Sequence, residues 1–263
     1  MASNKSSAPV QAPKARPGGK PGAAPGDLRA RLTPSRILAL AVVGAMVIAG
    51  ILIGVSVAGS SSKSPGPKTL VGEIQTLNLL SGIPQHANAL GRPDARVTMV
   101  EFADPACPYC MRFAVDTLPA IVRQYVRPGK VRLVYNGLDF VGPASEPGLR
   151  AIEAAGAQNK AWYLIDLLYR NQGDEQTNWL PTSFLSAIAE TVPGLDSVKL
   201  VKDMSSSQTT AAIRASAQQA SAAGVHQTPT FFIGLTGGTM QELSVQSLDL
   251  SAFTPAVDRL LAK

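Results

Sequence analysis

The sequence is poor in the residues that build metal centres. Its 263 residues include two cysteines, Cys107 and Cys110, and two histidines, His86 and His226. The histidines are not spaced as zinc ligands, either from each other or from the cysteines, which argues against a four-ligand zinc site. The sequence also lacks a G-x-S-x-G nucleophile motif and a glycine-rich phosphate loop. These absences argue against a serine hydrolase and a nucleotide-binding protein, and no metal or cofactor is predicted.

Acidic residues are scarce at the N-terminus. Residues 1–36 contain one acid, Asp27, and seven basic residues: Lys5, Lys14, Arg16, Lys20, Arg29, Arg31 and Arg36. This excess matches the net charge of +6 for the whole chain, so the remaining sequence is neutral and gives no reason to expect nucleic-acid binding. The segment is rich in Pro, Gly, Ala and Ser, so we predict a disordered tail.

A long apolar run follows this tail. Residues 37–58 carry no charge, and as a helix they would be about 33 Å long, enough to cross a bilayer. The basic flank predicts a cytoplasmic N-terminus and an extracytoplasmic remainder. A cleaved signal peptide is the alternative, although its apolar core is usually shorter. Residues 59–68 are typical of a flexible linker, which leaves residues 69–263 as one domain.

Both cysteines lie in one motif, Cys107-Pro108-Tyr109-Cys110, directly after the β-rich run Val97–Ala103. The apolar residues beyond the motif recur with a helical period: Ala114, Leu118, Ile121, Val122 and Tyr125. A cysteine at a helix start meets unpaired N–H groups, which favour the nucleophilic thiolate. A static disulfide and two inert thiols are the alternatives, but so short a bridge would restrict the unfolded chain little. We therefore favour a redox-active dithiol.

The pattern of the domain predicts the order β-α-β, a helical insertion, then β-β-α. Residues 69–80 alternate apolar and polar side chains, which predicts a strand or hairpin arm. A helix is predicted from Cys107 to about Val126, with a kink because Pro119 removes the hydrogen bond to the Val115 carbonyl. The other predicted elements are strands at 131–135, 230–233 and 241–245, a helical insertion at about 147–223, and a closing helix at 250–261.

This arrangement resembles the thioredoxin superfamily, in particular its DsbA-like branch. The resemblance rests on the strand–C-P-Y-C–helix junction, on Glu101 six residues before Cys107, on AWYLIDLLYRNQ at 161–172, and on GVHQTPTFFI at 224–233. It implies an α/β fold, a thioredoxin-like fold with a helical insertion, preceded by a single transmembrane helix. The loop differs from the family in having Gln227 where glycine is common.

The resemblance implies that Cys107 is the exposed, attacking thiol and that Cys110 is the resolving thiol. Pro108 fits the first helical position, where a missing N–H costs nothing. Pro108 and Tyr109 are expected to tune the redox potential. Since Tyr109 replaces the histidine of DsbA, we expect a milder oxidant than DsbA itself.

Three further site residues follow from the resemblance. Glu101 is expected to be a partly buried proton relay for Cys110, with a pKa raised by burial. The Thr228–Pro229 bond is expected to be cis, as only X–Pro bonds can be at modest cost. The backbone of Thr228 is then expected to pair with the substrate chain.

The function that the resemblance implies is a membrane-tethered thiol:disulfide oxidoreductase. It would donate its disulfide to exported cysteine-containing proteins and be reoxidised by a DsbB-like or VKOR-like membrane partner. The alternative is the reverse electron flow, a reductase or isomerase serving exported proteins or cytochrome c maturation, because Thr228 resembles isomerase-type members. A binding module with an incidental dithiol is the third hypothesis.

Overall fold

The computed structural model describes residues 70–263. The predicted tail (1–36), membrane span (37–58) and linker (59–68) lie outside the described residues. Within residues 70–263, no helix has both the length and the apolar character needed to cross a bilayer.

A mixed sheet lies at the centre of the domain. Its strands are β1 (Gln85–His86), β2 (Ala89–Leu90), β3 (Val97–Ala103), β4 (Val131–Gly137), β5 (Thr230–Leu235) and β6 (Gln241–Glu242). They are ordered β1-β2-β4-β3-β5-β6. The two central strands, β3 and β4, are parallel, and every other neighbouring pair is antiparallel.

The register of the central strands determines where the cysteine motif lies. β3 and β4 pair from Val97↔Val131 to Ala103↔Gly137, which confirms the predicted β-α-β unit. β5 runs antiparallel to β3, with Phe102 opposite Thr230. The segment that follows β3 and the segment that precedes β5 therefore meet at the same edge of the sheet.

Helices cover the sheet. They are α1 (Glu73–Leu80), α2 (Pro108–Arg112), π1 (Phe113–Thr117), α3 (Leu118–Ile121), π2 (Val122–Val126), α4 (Ser145–Gly156), α5 (Ala161–Arg170), α6 (Thr182–Glu190), α7 (Ser197–Asp203), α8 (Ser207–Ala222), a 3₁₀ turn (Leu250–Ala252) and α9 (Thr254–Leu261). The predicted helical insertion at about 147–223 corresponds to α4–α8. The predicted strand at 241–245 is limited to β6, and the predicted closing helix is divided between the 3₁₀ turn and α9.

The predicted helix at 107–126 is present, but it contains two π-helical turns. In π1, the Leu118 N–H bonds to the carbonyl of Phe113, five residues back. Pro119 has no N–H, so the carbonyl of Val115 loses its usual helical partner at this point. The helix is therefore disturbed at Val115, as predicted, but the disturbance is a π-helical turn. The period of the apolar residues does not indicate a π-helical turn.

The prediction of a strand at 69–80 is wrong, since α1 occupies most of this segment. Its buried side chains are Thr76, Leu79 and Leu80, which share one helical face. The Thr76 hydroxyl donates to the buried carboxylate of Asp166 on α5. This polar residue belongs to the interior face because of a partner 90 positions away, which the alternation of apolar residues could not reveal.

An aromatic cluster supports the sheet edge that carries the cysteine motif. Phe113, Phe231 and Phe253 come from π1, β5 and the start of α9, and their ring centroids are 4.7–5.2 Å apart. All three rings are buried. Fully burying each ring contributes about 1.5–3 kcal/mol, so the cluster fixes π1 against β5.

Candidate active site

The two cysteines occupy the first turn of α2. Cys107 is the N-cap residue and Pro108 takes the first helical position, as predicted. The Cys107 Sγ accepts a hydrogen bond from the Cys110 N–H at 3.4 Å. Both cysteines are free thiols, so the structure represents the reduced form. The sulfur of Cys107 thus caps its own helix, which satisfies an otherwise unpaired N–H group.

The Cys107 thiol is much less exposed than predicted. Cys107 keeps 3% of its surface accessible and Cys110 keeps none. The loop before β5 covers the first cysteine, and its Sγ donates to the Thr228 carbonyl at 3.4 Å. Only a small part of the Cys107 side chain is therefore open to an incoming thiol.

The surroundings of Cys107 favour its thiolate and lower its pKa to about 6, from an ordinary value of 9.0. The largest cause is the hydrogen bond with the Cys110 side chain, and burial opposes it. The Thr228 side chain and the backbone N–H groups of Cys110 and Tyr109 add to the lowering. At pH 7 about nine-tenths of the Cys107 sulfur is ionised. The sequence predicted a stabilised thiolate but assigned it to the helix start alone.

Cys110 has the opposite environment. Burial, followed by the hydrogen bond with Cys107 and the charges of Glu101 and Cys107, raises the pKa of the Cys110 thiol well above its ordinary value. The pair therefore divides into one thiolate and one thiol near neutral pH. This asymmetry suits a nucleophile or leaving group at Cys107 and a protonated partner at Cys110.

Glu101 lies on β3, near enough for its charge to interact with those of Cys107 and Cys110. It is 4% exposed, more buried than predicted, and its Oε1 has no hydrogen-bond partner within residues 70–263. Burial and the negative charge of Cys107 raise the pKa of Glu101 to about 8, from 4.5. At pH 7 the carboxyl group is therefore mostly protonated and can release a proton.

The predicted substrate loop borders the cysteine motif. The Thr228–Pro229 bond is cis, as predicted. Both residues line a groove of about 520 Å³ together with Tyr109, Arg112, Gln227 and residues 245–248. Tyr109 is 64% exposed within this groove. The structure thus places Tyr109 beside Thr228 and Pro229, although Tyr109 lies far from them in the sequence.

Sequence reasoning missed Asp104, a buried residue three positions before Cys107. Its carboxylate accepts hydrogen bonds from the N–H groups of Ala106, Phe140 and Val141 and from the Ser145 hydroxyl. Four donors compensate the cost of burying this group. Asp104 therefore ties the cysteine loop to the loop after β4 and to the start of α4.

Sequence reasoning also missed Tyr169 and Gln172. The Tyr169 hydroxyl donates to the Asp104 carbonyl at 3.1 Å. The Gln172 side chain donates to the carbonyls of Pro105 and Cys107, at 2.9 and 3.1 Å. Both residues lie in the stretch 161–172 that carried part of the family resemblance, which was the available signal.

Within residues 70–263, no cluster of three or more His, Cys, Asp or Glu side chains could hold a metal ion.

The chain is similar to known proteins. The sequence profile of the family described as Thioredoxin matches residues 85–245. A probable disulfide bond formation protein D of Bacillus cereus is 29% identical over 178 residues, which covers 66% of this chain and 79% of the relative. Disulfide bond formation protein D of Bacillus subtilis is 24% identical over 146 residues, covering 55% and 66%.

Solved structures have the same fold. The oxidised form of BdbD from Bacillus subtilis covers 70% of this chain and 99% of its own, with a TM-score of 0.59 at 21% identity. DsbA2 of Pseudomonas aeruginosa covers 68% and 96%, with a TM-score of 0.51 at 26% identity. The profile match spans more than half of the sequence, and the asymmetric Cys107–Cys110 pair lies inside it. The chain therefore belongs to the thioredoxin family and is a DsbA-like thiol:disulfide oxidoreductase.

Proposed function

We propose that this oxidoreductase works as an oxidant, donating a Cys107–Cys110 disulfide to exported proteins. The observation that carries the proposal is the asymmetry of the two thiols. Cys107 has a pKa of about 6, so its thiolate is stabilised in the reduced enzyme. A stabilised reduced form makes the corresponding disulfide more oxidising. The relatives named as disulfide bond formation proteins support the same direction of electron flow.

The reaction proceeds by two thiol–disulfide exchanges. A substrate thiolate attacks the Cys107 sulfur of the enzyme disulfide, forming a mixed disulfide and releasing Cys110. A second substrate thiolate then attacks the substrate sulfur of the mixed disulfide and releases Cys107. The substrate loses two electrons as its disulfide forms, and the enzyme gains them as its dithiol. Cys107 is a good leaving group because its thiolate is stabilised.

Glu101 supplies a proton in this scheme. Cys110 leaves the enzyme disulfide as a thiolate, which its buried surroundings disfavour. Glu101, protonated near pH 7, transfers its proton to the Cys110 sulfur and becomes a carboxylate. Reprotonation from solvent restores the carboxyl group. Glu101 is therefore proposed as a proton relay for Cys110.

The substrate chain is proposed to lie in the groove beside Thr228 and Pro229. The Thr228 carbonyl accepts a hydrogen bond from the Cys107 thiol at 3.4 Å. A thiolate has no hydrogen to donate, so ionisation of Cys107 frees this carbonyl for an N–H group of the substrate backbone. The exposed ring of Tyr109 lines the same groove and offers the substrate an apolar contact.

The location and partners form the remaining part of the proposal. Residues 37–58 act as a single membrane anchor, with the N-terminus in the cytoplasm and the catalytic domain outside. A DsbB-like or VKOR-like membrane protein reoxidises the enzyme. The apolar and charge patterns of residues 1–58 support this arrangement.

Alkylation trapping in cells tests the direction of electron flow. Cells are quenched in acid, and free thiols are labelled with a maleimide that adds mass. We expect Cys107 and Cys110 to be mainly unlabelled before reduction and both labelled after it. Mainly labelled cysteines in untreated cells would instead identify a reductase or isomerase and would overturn the oxidant proposal.

The Cys110→Ser variant is a second test. In this variant no enzyme disulfide can form, so the Cys107 thiolate attacks a disulfide of an exported protein, forms a mixed disulfide and releases one thiolate of that protein. Because serine cannot act as the resolving thiol, we expect mixed disulfides at Cys107 that a reducing gel removes. The double variant Cys107→Ser/Cys110→Ser is the matched control and should form none. If the single variant captured no exported protein, Cys107 would not be the sulfur that forms the mixed disulfide.

A further inference from the structure

Two side chains at the end of α5 hold the backbone of the cysteine loop. Gln172 donates from Nε2 to the carbonyls of Pro105 and Cys107. Tyr169, three residues earlier, donates its hydroxyl to the carbonyl of Asp104. Three of the four carbonyls from Asp104 to Cys107 thus accept a hydrogen bond from the helical insertion. We call Tyr169 and Gln172 the insertion clamp.

The clamp is not an ordinary helix cap. Asn171, between its two members, donates to the Leu167 carbonyl and so satisfies the end of its own helix. The Gln172 amide instead reaches backbone 65 and 67 positions earlier in the chain. Tyr169 is also almost fully buried, so water does not compete for its hydroxyl. The geometry is that of a contact between the insertion and the cysteine loop.

We infer that Tyr169 and Gln172 are positioning residues for Cys107, which hold its sulfur against the Cys110 amide and the Thr228 loop. The inference rests on the proposed role of Cys107 as the attacked and released sulfur. The hydrogen bond from the Cys110 N–H to Cys107 Sγ is 3.4 Å long, so a modest shift of the loop would weaken it steeply. The helical insertion then sets thiolate stability together with Pro108 and Tyr109.

A lost clamp should raise the pKa of the Cys107 thiol. The lowering of that pKa depends on contacts with Cys110, Thr228 and the first N–H groups of α2, and each contact needs the loop in place. Burial of Cys107 opposes the lowering and would remain. Less thiolate at a given pH means slower alkylation and a less oxidising disulfide.

The Gln172→Met variant tests the clamp, because it removes both donors while keeping a side chain of similar length. Iodoacetamide labelling of the reduced full-length chain is followed from pH 4 to pH 9. We expect labelling of Cys107 at pH 6 to be about threefold to tenfold slower than in the wild type, with the midpoint moved to higher pH.

Gln158→Met is the matched control. Gln158 also lies in the insertion and also bridges backbone groups, here the N–H and carbonyl of Asp196. A merely structural role for Gln172 predicts that both variants lose stability and that neither moves the midpoint. An unchanged midpoint in Gln172→Met, or an equal shift in Gln158→Met, would overturn the inference.

Tyr169→Phe provides a second variant, which removes one clamp hydrogen bond with almost no change in volume. We expect a smaller shift of the labelling midpoint in the same direction, and no shift would count against the clamp. The labelled residue separates the proposed role of Cys107 from the inference about the clamp. If the wild type were labelled at Cys110 rather than Cys107, both the proposed role of Cys107 and the clamp would be overturned. If Cys107 had the same labelling midpoint, near pH 6, in the wild type and in all variants, the clamp alone would be overturned.

Discussion

The sulfur of Cys107 and the carbonyl oxygen of Thr228 lie 3.4 Å apart, although 121 positions separate the two residues. The contact exists because β3 and β5 are antiparallel neighbours, so the end of one strand meets the start of the other. The Thr228 side chain also lowers the pKa of Cys107. One residue thus offers a backbone acceptor to the thiol and a side-chain donor to the thiolate.

The first prediction concerns the hydroxyl of Thr228. Thr228→Val keeps the shape of the side chain and removes its donor, so we expect the pKa of Cys107 to rise above about 6. The ultraviolet absorbance of the thiolate during a pH titration measures this shift. Thr236→Val, beyond the far end of β5, is the control and should leave the titration unchanged. An unchanged midpoint in Thr228→Val would mean that the hydroxyl does not act on the sulfur.

The second prediction concerns the stability of the reduced protein as a function of pH. The folded pKa of Cys107, about 6, is depressed from an unfolded value of 9.0. Its contribution to stability is therefore fully present above pH 9 and is lost as pH falls through 6. At pH 7 it amounts to about 1 kcal/mol.

Urea unfolding of the reduced protein between pH 5 and pH 9 measures this contribution. The Cys107→Ser variant is the reference, because it lacks the titrating sulfur and keeps the other ionisable groups. We expect the difference in unfolding free energy between the two proteins to grow with pH across this range. A difference that is independent of pH would contradict the low pKa of Cys107.

The third prediction is that Glu101→Gln stabilises the fold at neutral pH. The folded pKa of Glu101, about 8, is raised above its ordinary 4.5. The contribution of this carboxyl group is thus fully present below pH 4.5 and is lost as pH rises through 8. A neutral glutamine suffers no such loss, so we expect a gain of about 3 kcal/mol at pH 7 and almost none at pH 4.

Urea unfolding of the reduced proteins at these two pH values tests the gain, because the pKa of Glu101 depends in part on the charge of the Cys107 thiolate. Glu190→Gln, on the exposed end of α6, should change stability at neither pH. The same Glu101→Gln variant should slow the release of Cys110 during mixed-disulfide formation, because the relay is lost. An equal stability gain at pH 4 and pH 7 would show that packing, not ionisation, is responsible.

The sequence alone predicts the parts of the site that have a local signal. Cys107, Pro108 and Cys110 lie within four consecutive residues, and Glu101 is found through the family resemblance, six residues before Cys107. Glu101 is nevertheless more buried than predicted, because its exposure depends on strands and helices that pack over it. The local sequence pattern therefore identifies the redox-active residues, but it does not determine how deeply each side chain is buried.

The residues that the sequence does not predict act through long-range contacts. The buried Asp104 carboxylate and the clamp residues Tyr169 and Gln172 bond to backbone groups, which carry no sequence signal. The error at α1 has the same origin, since Thr76 is buried by its hydrogen bond to Asp166. Partners 36 to 90 positions apart become visible only when the fold brings them together.

The last prediction concerns the redox potential. The pKa of Cys107, about 6, lies above the value of about 3.5 for DsbA, so the reduced form is stabilised less. We expect a potential more negative than the roughly −120 mV of DsbA, measured by equilibrium with glutathione. Tyr109→His places a partly cationic ring beside the thiolate and should lower the pKa of Cys107. Each pKa unit lowered raises the potential by at most about 30 mV.

Phe140→His is the control for that substitution. Phe140 is exposed like Tyr109, and its loop is bound to the Asp104 carboxylate, but it lies outside the groove that Tyr109 and Thr228 line. A histidine there should leave the potential nearly unchanged, because solvent screens a charge that does not contact the sulfur. A wild-type potential near that of DsbA, or equal shifts in the two histidine variants, would mean that the dipeptide between the cysteines does not set the oxidising power of this enzyme.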